Sequence, residues 1–122
     1  MKAQGSGVVL MTASTNGTEG HPFYADSNAS KAGVILLAKT MPLELAPFIR
    51  VNAVCPGYVL TSMQKAEYTP ETLDAMNLKI PMKRHADPAE VAALFAFLAS
   101  DEAAYITGAK ICIDGGETTG LS

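Results

Sequence analysis

The chain has 122 residues, 48% hydrophobic and 17% charged, with a net charge of −3 and a mean hydropathy of +0.17. These values suit one globular domain with one core, and its nine scattered basic residues offer no footprint for nucleic acid or an anionic membrane surface. The longest clean apolar stretch, Ala32 to Ala38, falls far short of the ~20 residues that span a bilayer.

Val8 to Met11 is a short apolar run after Gly5-Ser6-Gly7. It reads as a buried strand rather than the core of a secretory signal. A loop with Gly17, Gly20 and Pro22 follows. From Asp26 to Glu44 apolar residues recur at helical spacing, with Asp26 or Ser27 as a cap and helical character expected to fade around Pro42 and Pro47. Arg50 to Cys55 reads as a second strand, stopped by Pro56-Gly57. Tyr58 to Met82 is a long excursion with a short helix started by Thr69-Pro70-Glu71. Asp87-Pro88-Ala89-Glu90 supplies a cap, a proline in the first turn and an early acid for a helix through Ala99. Lys110 to Ile113 is the last strand, closed by Asp114-Gly115-Gly116.

Strand, helix, strand, helix, strand argues for an α/β fold with a parallel sheet and helices on its faces. It amounts to one half of a doubly wound fold, which in full has two such halves. The expected arrangement is a partial domain over 1–122 without the glycine-rich strand-to-helix turn that holds a pyrophosphate. Gly5-Ser6-Gly7 does not supply that turn, because it precedes a strand and lacks a third glycine in register. Cys55 and Cys112 make neither a disulfide framework nor a metal spacing, and suit buried small hydrophobes in a reducing, cytoplasmic setting.

Several strings, in order, resemble the second half of the short-chain dehydrogenases/reductases: Val9-Leu-Met-Thr-Ala-Ser14, Ser30-Lys31-Ala32, Arg50-Val-Asn-Ala-Val-Cys-Pro-Gly57, Asp87-Pro-Ala-Glu-Val-Ala92, Phe97-Leu-Ala-Ser-Asp101, Tyr105-Ile-Thr-Gly108 and Asp114-Gly-Gly116. The resemblance covers essentially the whole chain. It implies the C-terminal half of a Rossmann-type sheet, NAD or NADP as the cofactor of the complete protein, and hydride exchange with a small alcohol or carbonyl substrate. It also implies homo-oligomers. Ser14 matches the family serine that orients the substrate oxygen. Lys31 matches the lysine that binds nicotinamide ribose and favours ionisation of a catalytic phenol. Pro56, Gly57, Val59 and Thr61 match the turn that meets the nicotinamide carboxamide.

One member departs from the pattern. Four residues before Lys31, and thirteen after Ser14, stands Ser27 where the family has tyrosine. An aliphatic hydroxyl is far less acidic than a phenol and reaches less far, so Ser27 is a poor general acid. Tyr24 is the nearest phenol, one helical turn upstream, and is read first as a surface loop aromatic. Asn52 is expected to support its strand's backbone. His21 and His85 lack partners at metal spacing and read as exposed or locally bonded imidazoles. Met63, Met76 and Met82 suit either a pocket lining or gap filling. The competing reading is a non-catalytic assembly or interaction module derived from the same fold. A serine-lysine hydrolase built on Ser27 and Lys31 lacks a strained nucleophile turn and oxyanion donors.

Overall fold

The computed structural model describes residues 5–14 and 25–119, without the side chains of 25, 27, 63, 64 and 67. In chain order come β1 (Gly7–Thr12), α1 (Ala25–Leu45), β2 (Ile49–Pro56), α2 (Ser62–Glu67), α3 (Pro70–Leu78), α4 (Pro88–Ala99), a short 3₁₀ turn (Asp101–Ala103) and β3 (Lys110–Ile113). The strands lie in the order β1-β2-β3 and both pairings are parallel.

Strand alternation distributes the core over two faces. Ile49, Val51 and Ala53 of β2, with Val9 and Met11 of β1, pack against Ala38, Met41 and Leu45 of α1. Val54, with Leu10, Ile111 and Ile113, faces Leu94, Phe95 and Leu98 of α4. The central strand is therefore covered on both sides, which is why its sequence is nearly continuous in apolar residues. Asn52 is the exception. It is fully buried, and its side chain donates to the Ile106 carbonyl at 3.0 Å and accepts from Ala109 N at 3.0 Å. It ties the segment before β3 to β2, the backbone role expected of it.

The helix ends follow their local chemistry. Asp87 accepts from Ala89 N at 2.9 Å, and Glu90 returns a bond to Asp87 N at 2.9 Å, so α4 opens with a reciprocal cap. Thr69 caps α3 by accepting from Thr72 N at 3.2 Å. α1 runs through Pro42 and ends at Leu45, one residue past the expected Glu44. Proline removes the hydrogen bond its own nitrogen would donate, but Pro42 lies in the last turn, and its carbonyl still accepts from Ala46 N at 2.9 Å. α2 departs from expectation: it is a six-residue helix within the segment read as an excursion, begun by a bond from Lys65 N to the Thr61 carbonyl at 3.0 Å.

No described helix is long and apolar enough to cross a membrane.

Candidate functional site

In open α/β sheets ligands gather beyond the carboxyl ends of the strands. Three chain segments leave that edge here: Ala13-Ser14 after β1, Pro56 to Thr61 after β2, and Asp114 to Gly116 after β3. The first is held inward by Ala13 N, which donates to the Val54 carbonyl at 2.7 Å. Half-buried Ser14 follows immediately.

α1 delivers Lys31 to the same place. Ile35, Ala38, Met41 and Leu45 form the stripe that packs on the sheet, and Lys31 lies on that stripe one turn before Ile35. Its ammonium contacts the Thr12 carbonyl at 3.5 Å. With three donors and one long contact among the described residues, the ammonium can bind a ligand at the end of β1. Ser27 occupies the register position one turn before Lys31 on α1, but its side chain is outside the described set. Tyr24, Gly17, Gly20 and His21 are also outside the described residues.

The turn after β2 is anchored at both ends. Gly57 N donates to the Ile113 carbonyl at 3.1 Å. The approach is close: a Cβ on Gly57 would stand 2.8 Å from Asp114 Cβ and 3.1 Å from Asp114 Cα. Only glycine fits that space without a shift. Val59 then pairs in parallel with Ala86, with Leu60 N donating to the Ala86 carbonyl and Ala86 N to the Tyr58 carbonyl, both at 2.9 Å. Thr61 is exposed, and its backbone starts α2.

Asp114 was not singled out from the sequence as a site residue, yet it organises this edge. Its carboxylate accepts from Gly116 N at 3.0 Å, Thr118 N at 3.2 Å and the Thr118 hydroxyl at 2.7 Å. Gly115 and Gly116 take φ of +62° and +91°, a region side chains disfavour. The Gly115 carbonyl accepts from Met82 N at 3.1 Å, which brings the end of the excursion back to the sheet.

His85 is the second unanticipated element. It is 7% exposed, so of the two environments expected the locally bonded one holds. Its ring stacks at a tilt on Tyr58, centroids 5.4 Å apart, and Nδ1 lies 2.5 Å from Asn77 Oδ1. Burial pushes the imidazole below its ordinary value of 6.5, favouring the neutral form. An amide oxygen only accepts, so Nδ1 carries the proton. His85 thereby clasps α3 to the segment after β2. Nε2 is buried with no hydrogen-bond partner among the described residues.

Two cavities flank this clasp. One of about 390 Å³ is lined by Leu60, Ser62, Lys65, Arg84, His85 and Asp87, among others. A smaller one of about 90 Å³ includes Tyr58, Met82, Ile113 and Gly115 in its wall. Met82 therefore does line a pocket, although most of its surface remains exposed. Arg84 touches both cavities, but its charge is engaged: it grips Glu90 at 2.6 and 2.9 Å, and that bond lowers the Glu90 carboxyl to about 2. Among the described residues no group of three or more His, Cys, Asp or Glu side chains could hold a metal ion.

Residues 1–118 match a family model described as Enoyl-(Acyl carrier protein) reductase. The chain is 43% identical over 119 residues to oxidoreductase UcpA of Escherichia coli, covering 91% of this chain and 45% of UcpA. Among solved structures, it resembles a short-chain dehydrogenase/reductase-family oxidoreductase from Burkholderia thailandensis, with a TM-score of 0.92 and 34% identity over 98% of this chain and 47% of that one. ElxO with NADP bound is similar to the same TM-score of 0.92, at 29% identity, covering 98% of this chain and 50% of that one. The chain belongs to the short-chain dehydrogenase/reductase family. It spans about half the length of the relatives it matches.

Proposed function

We propose that residues 1–122 form a partial Rossmann-type domain, the substrate-side half of an NAD- or NADP-dependent oxidoreductase acting on a small alcohol or carbonyl compound. The observation that carries this reading is Lys31 reaching the Thr12 carbonyl beside Ser14 at the carboxyl end of β1. Similarity to a protein with NADP bound supports the choice of cofactor class.

A nicotinamide cofactor would supply or take the hydride. Lys31 would hold its ribose, and Pro56, Gly57, Val59 and Thr61 its carboxamide end. The residues fit that group in kind: an ammonium with donors to spare, and a turn drawn tight enough to exclude even a methyl group at Gly57. Ser14 orients the substrate oxygen. Ser27 stands where proton transfer needs an acid, and an aliphatic hydroxyl supplies it poorly. α3 and α4 begin on Thr69 and Asp87 caps and not on a glycine-rich phosphate turn, and the chain by itself is read as inactive and weak in dinucleotide affinity. The working protein is proposed to be a cytoplasmic homo-oligomer. Ser27 is also the residue that favours the second reading, a non-catalytic binding or assembly module of the same fold.

The test uses the full-length protein carrying a nucleotide-binding half. A positioned acid or base is worth about 10²- to 10⁴-fold in rate, so Ser27→Tyr should raise NAD(P)H-dependent turnover on candidate carbonyls by that order. Tyr24→Phe should change little, and its abolishing activity would make Tyr24 the acid. A Ser27→Tyr protein that binds cofactor yet turns over no faster would decide for the non-catalytic module. For the 122-residue chain, micromolar NADH or NADPH binding by fluorescence titration would contradict the half-site reading.

A further inference from the structure

Cys55 and Cys112 stand opposite each other in the parallel β2–β3 ladder. Register partners project to the same face of a sheet, and both side chains lie in the cluster of Ala13, Ile35 and Val34 beneath α1. The two thiols are near enough that Cys112 helps to raise the Cys55 thiol. Their access differs: Cys55 is fully buried, whereas Cys112 is partly exposed.

Adjacent strands lie ~4.8 Å apart, inside the ~4.4–6.8 Å range of Cα separations that a disulfide spans. The Cβ atoms must draw together by about 1 Å from that spacing to reach their usual ~3.8 Å. The element able to yield is β3, which has four residues and pairs on one side only among the described strands.

We propose that Cys55 and Cys112 form a thiol modification site that reacts with low-molecular-weight disulfides of the glutathione type and closes to an intrachain disulfide. The Cys112 thiolate attacks one sulfur of the small disulfide and expels the other half as a thiolate, leaving a mixed disulfide on Cys112. The Cys55 thiolate then attacks the Cys112 sulfur and expels the second half. The chain loses two protons and two electrons, and the small disulfide takes them up to become two thiols. The order follows access, because only Cys112 meets solvent. Burial, and next the neighbouring Cys112, push the Cys55 thiol up to about 11. Cys55 therefore resolves and does not initiate, and its step quickens as pH rises. The bridge would form two residues before Gly57 and one before Ile113, whose bond joins the turns after β2 and β3. It would staple the base of the proposed nicotinamide turn, although the chemistry needs no cofactor.

The experiment incubates the chain with oxidised glutathione, quenches with acid, and reads intact mass and peptide maps. A glutathione adduct on Cys112 should appear first. A species lacking two hydrogens, with a cross-linked Cys55–Cys112 peptide pair, should then replace it. Closure should be about 100-fold faster at pH 9 than at pH 7, in proportion to the Cys55 thiolate. Cys55→Ala should hold the adduct on Cys112 at every pH. Should that variant not fold, the peptide map and pH dependence of the parent chain decide alone. First modification at Cys55, an adduct that never closes in the parent, a disulfide between two chains, or no reaction in the native chain while the unfolded chain reacts would each overturn the proposal.

Discussion

Gly57→Ala tests how tightly the turns after β2 and β3 are joined. A Cβ at residue 57 falls 2.8 Å from Asp114 Cβ, 3.1 Å from Asp114 Cα and 2.7 Å from Glu117 Oε2. Carbon atoms in ordinary contact sit ~3.5–4.0 Å apart, so the Asp114 contact is short by about 1 Å. Glu117 can swing its far end aside. Asp114 has no such freedom, because three donors hold its carboxylate and two positive-φ glycines follow it. Relief must come from the backbone, at the expense of the 3.1 Å bond from Gly57 N to Ile113 O. Overpacking of this kind costs about 1–3 kcal/mol. Gly33→Ala provides the opposite sign, since nothing lies within 4 Å of its Cβ position in α1. Alanine in a helix interior gains roughly 0.5–1 kcal/mol over glycine. Urea unfolding followed by circular dichroism should move the two midpoints in opposite directions. An unchanged midpoint for Gly57→Ala, or a loss of equal size for Gly33→Ala, would refute the steric reasoning.

Asp87→Ala should lower stability by about 1 kcal/mol, read from urea midpoints, because it removes the cap on Ala89 N. His85 predicts an acid-side slope. Burial lowers its folded pKa, so its contribution is fully present above the unfolded value of 6.5 and is lost as pH falls below it. His85→Gln should flatten that slope between pH 7 and pH 5, and an equally steep slope in the variant would assign it elsewhere.

What the sequence disclosed was whatever a local rule enforces. The strands around Val9, Val51 and Ile111 were legible because buried parallel strands need runs of apolar residues. The start of α4 was legible because Asp87, Pro88 and Glu90 each solve a problem at a helix N-terminus. The family resemblance picked out Ser14 and Lys31, and the structure sets Ser14 two residues past the end of β1 and the Lys31 ammonium on the Thr12 carbonyl. What stayed hidden depends on distant partners. His85 reads as a loop histidine until α3 places Asn77 against it, eight residues back in the chain. Asp114 reads as the end of a strand until Gly57 comes within contact distance of it.

The same separation between local rule and distant contact governs how α1 brings Lys31 to the sheet. α1 is seated by Val34, Ile35, Ala38, Met41 and Leu45, all of them later than Lys31 in the helix. Those contacts fix the helix against β1 and β2, and the helical repeat carries Lys31 to the strand end. Position 27 lies one turn further out along α1. On the proposed reading the residue there bears on proton transfer, while the packing of α1 sets where Lys31 stands. A rise in turnover on Ser27→Tyr with an unchanged urea midpoint would assign the change to chemistry, and a shifted midpoint would assign it to folding instead.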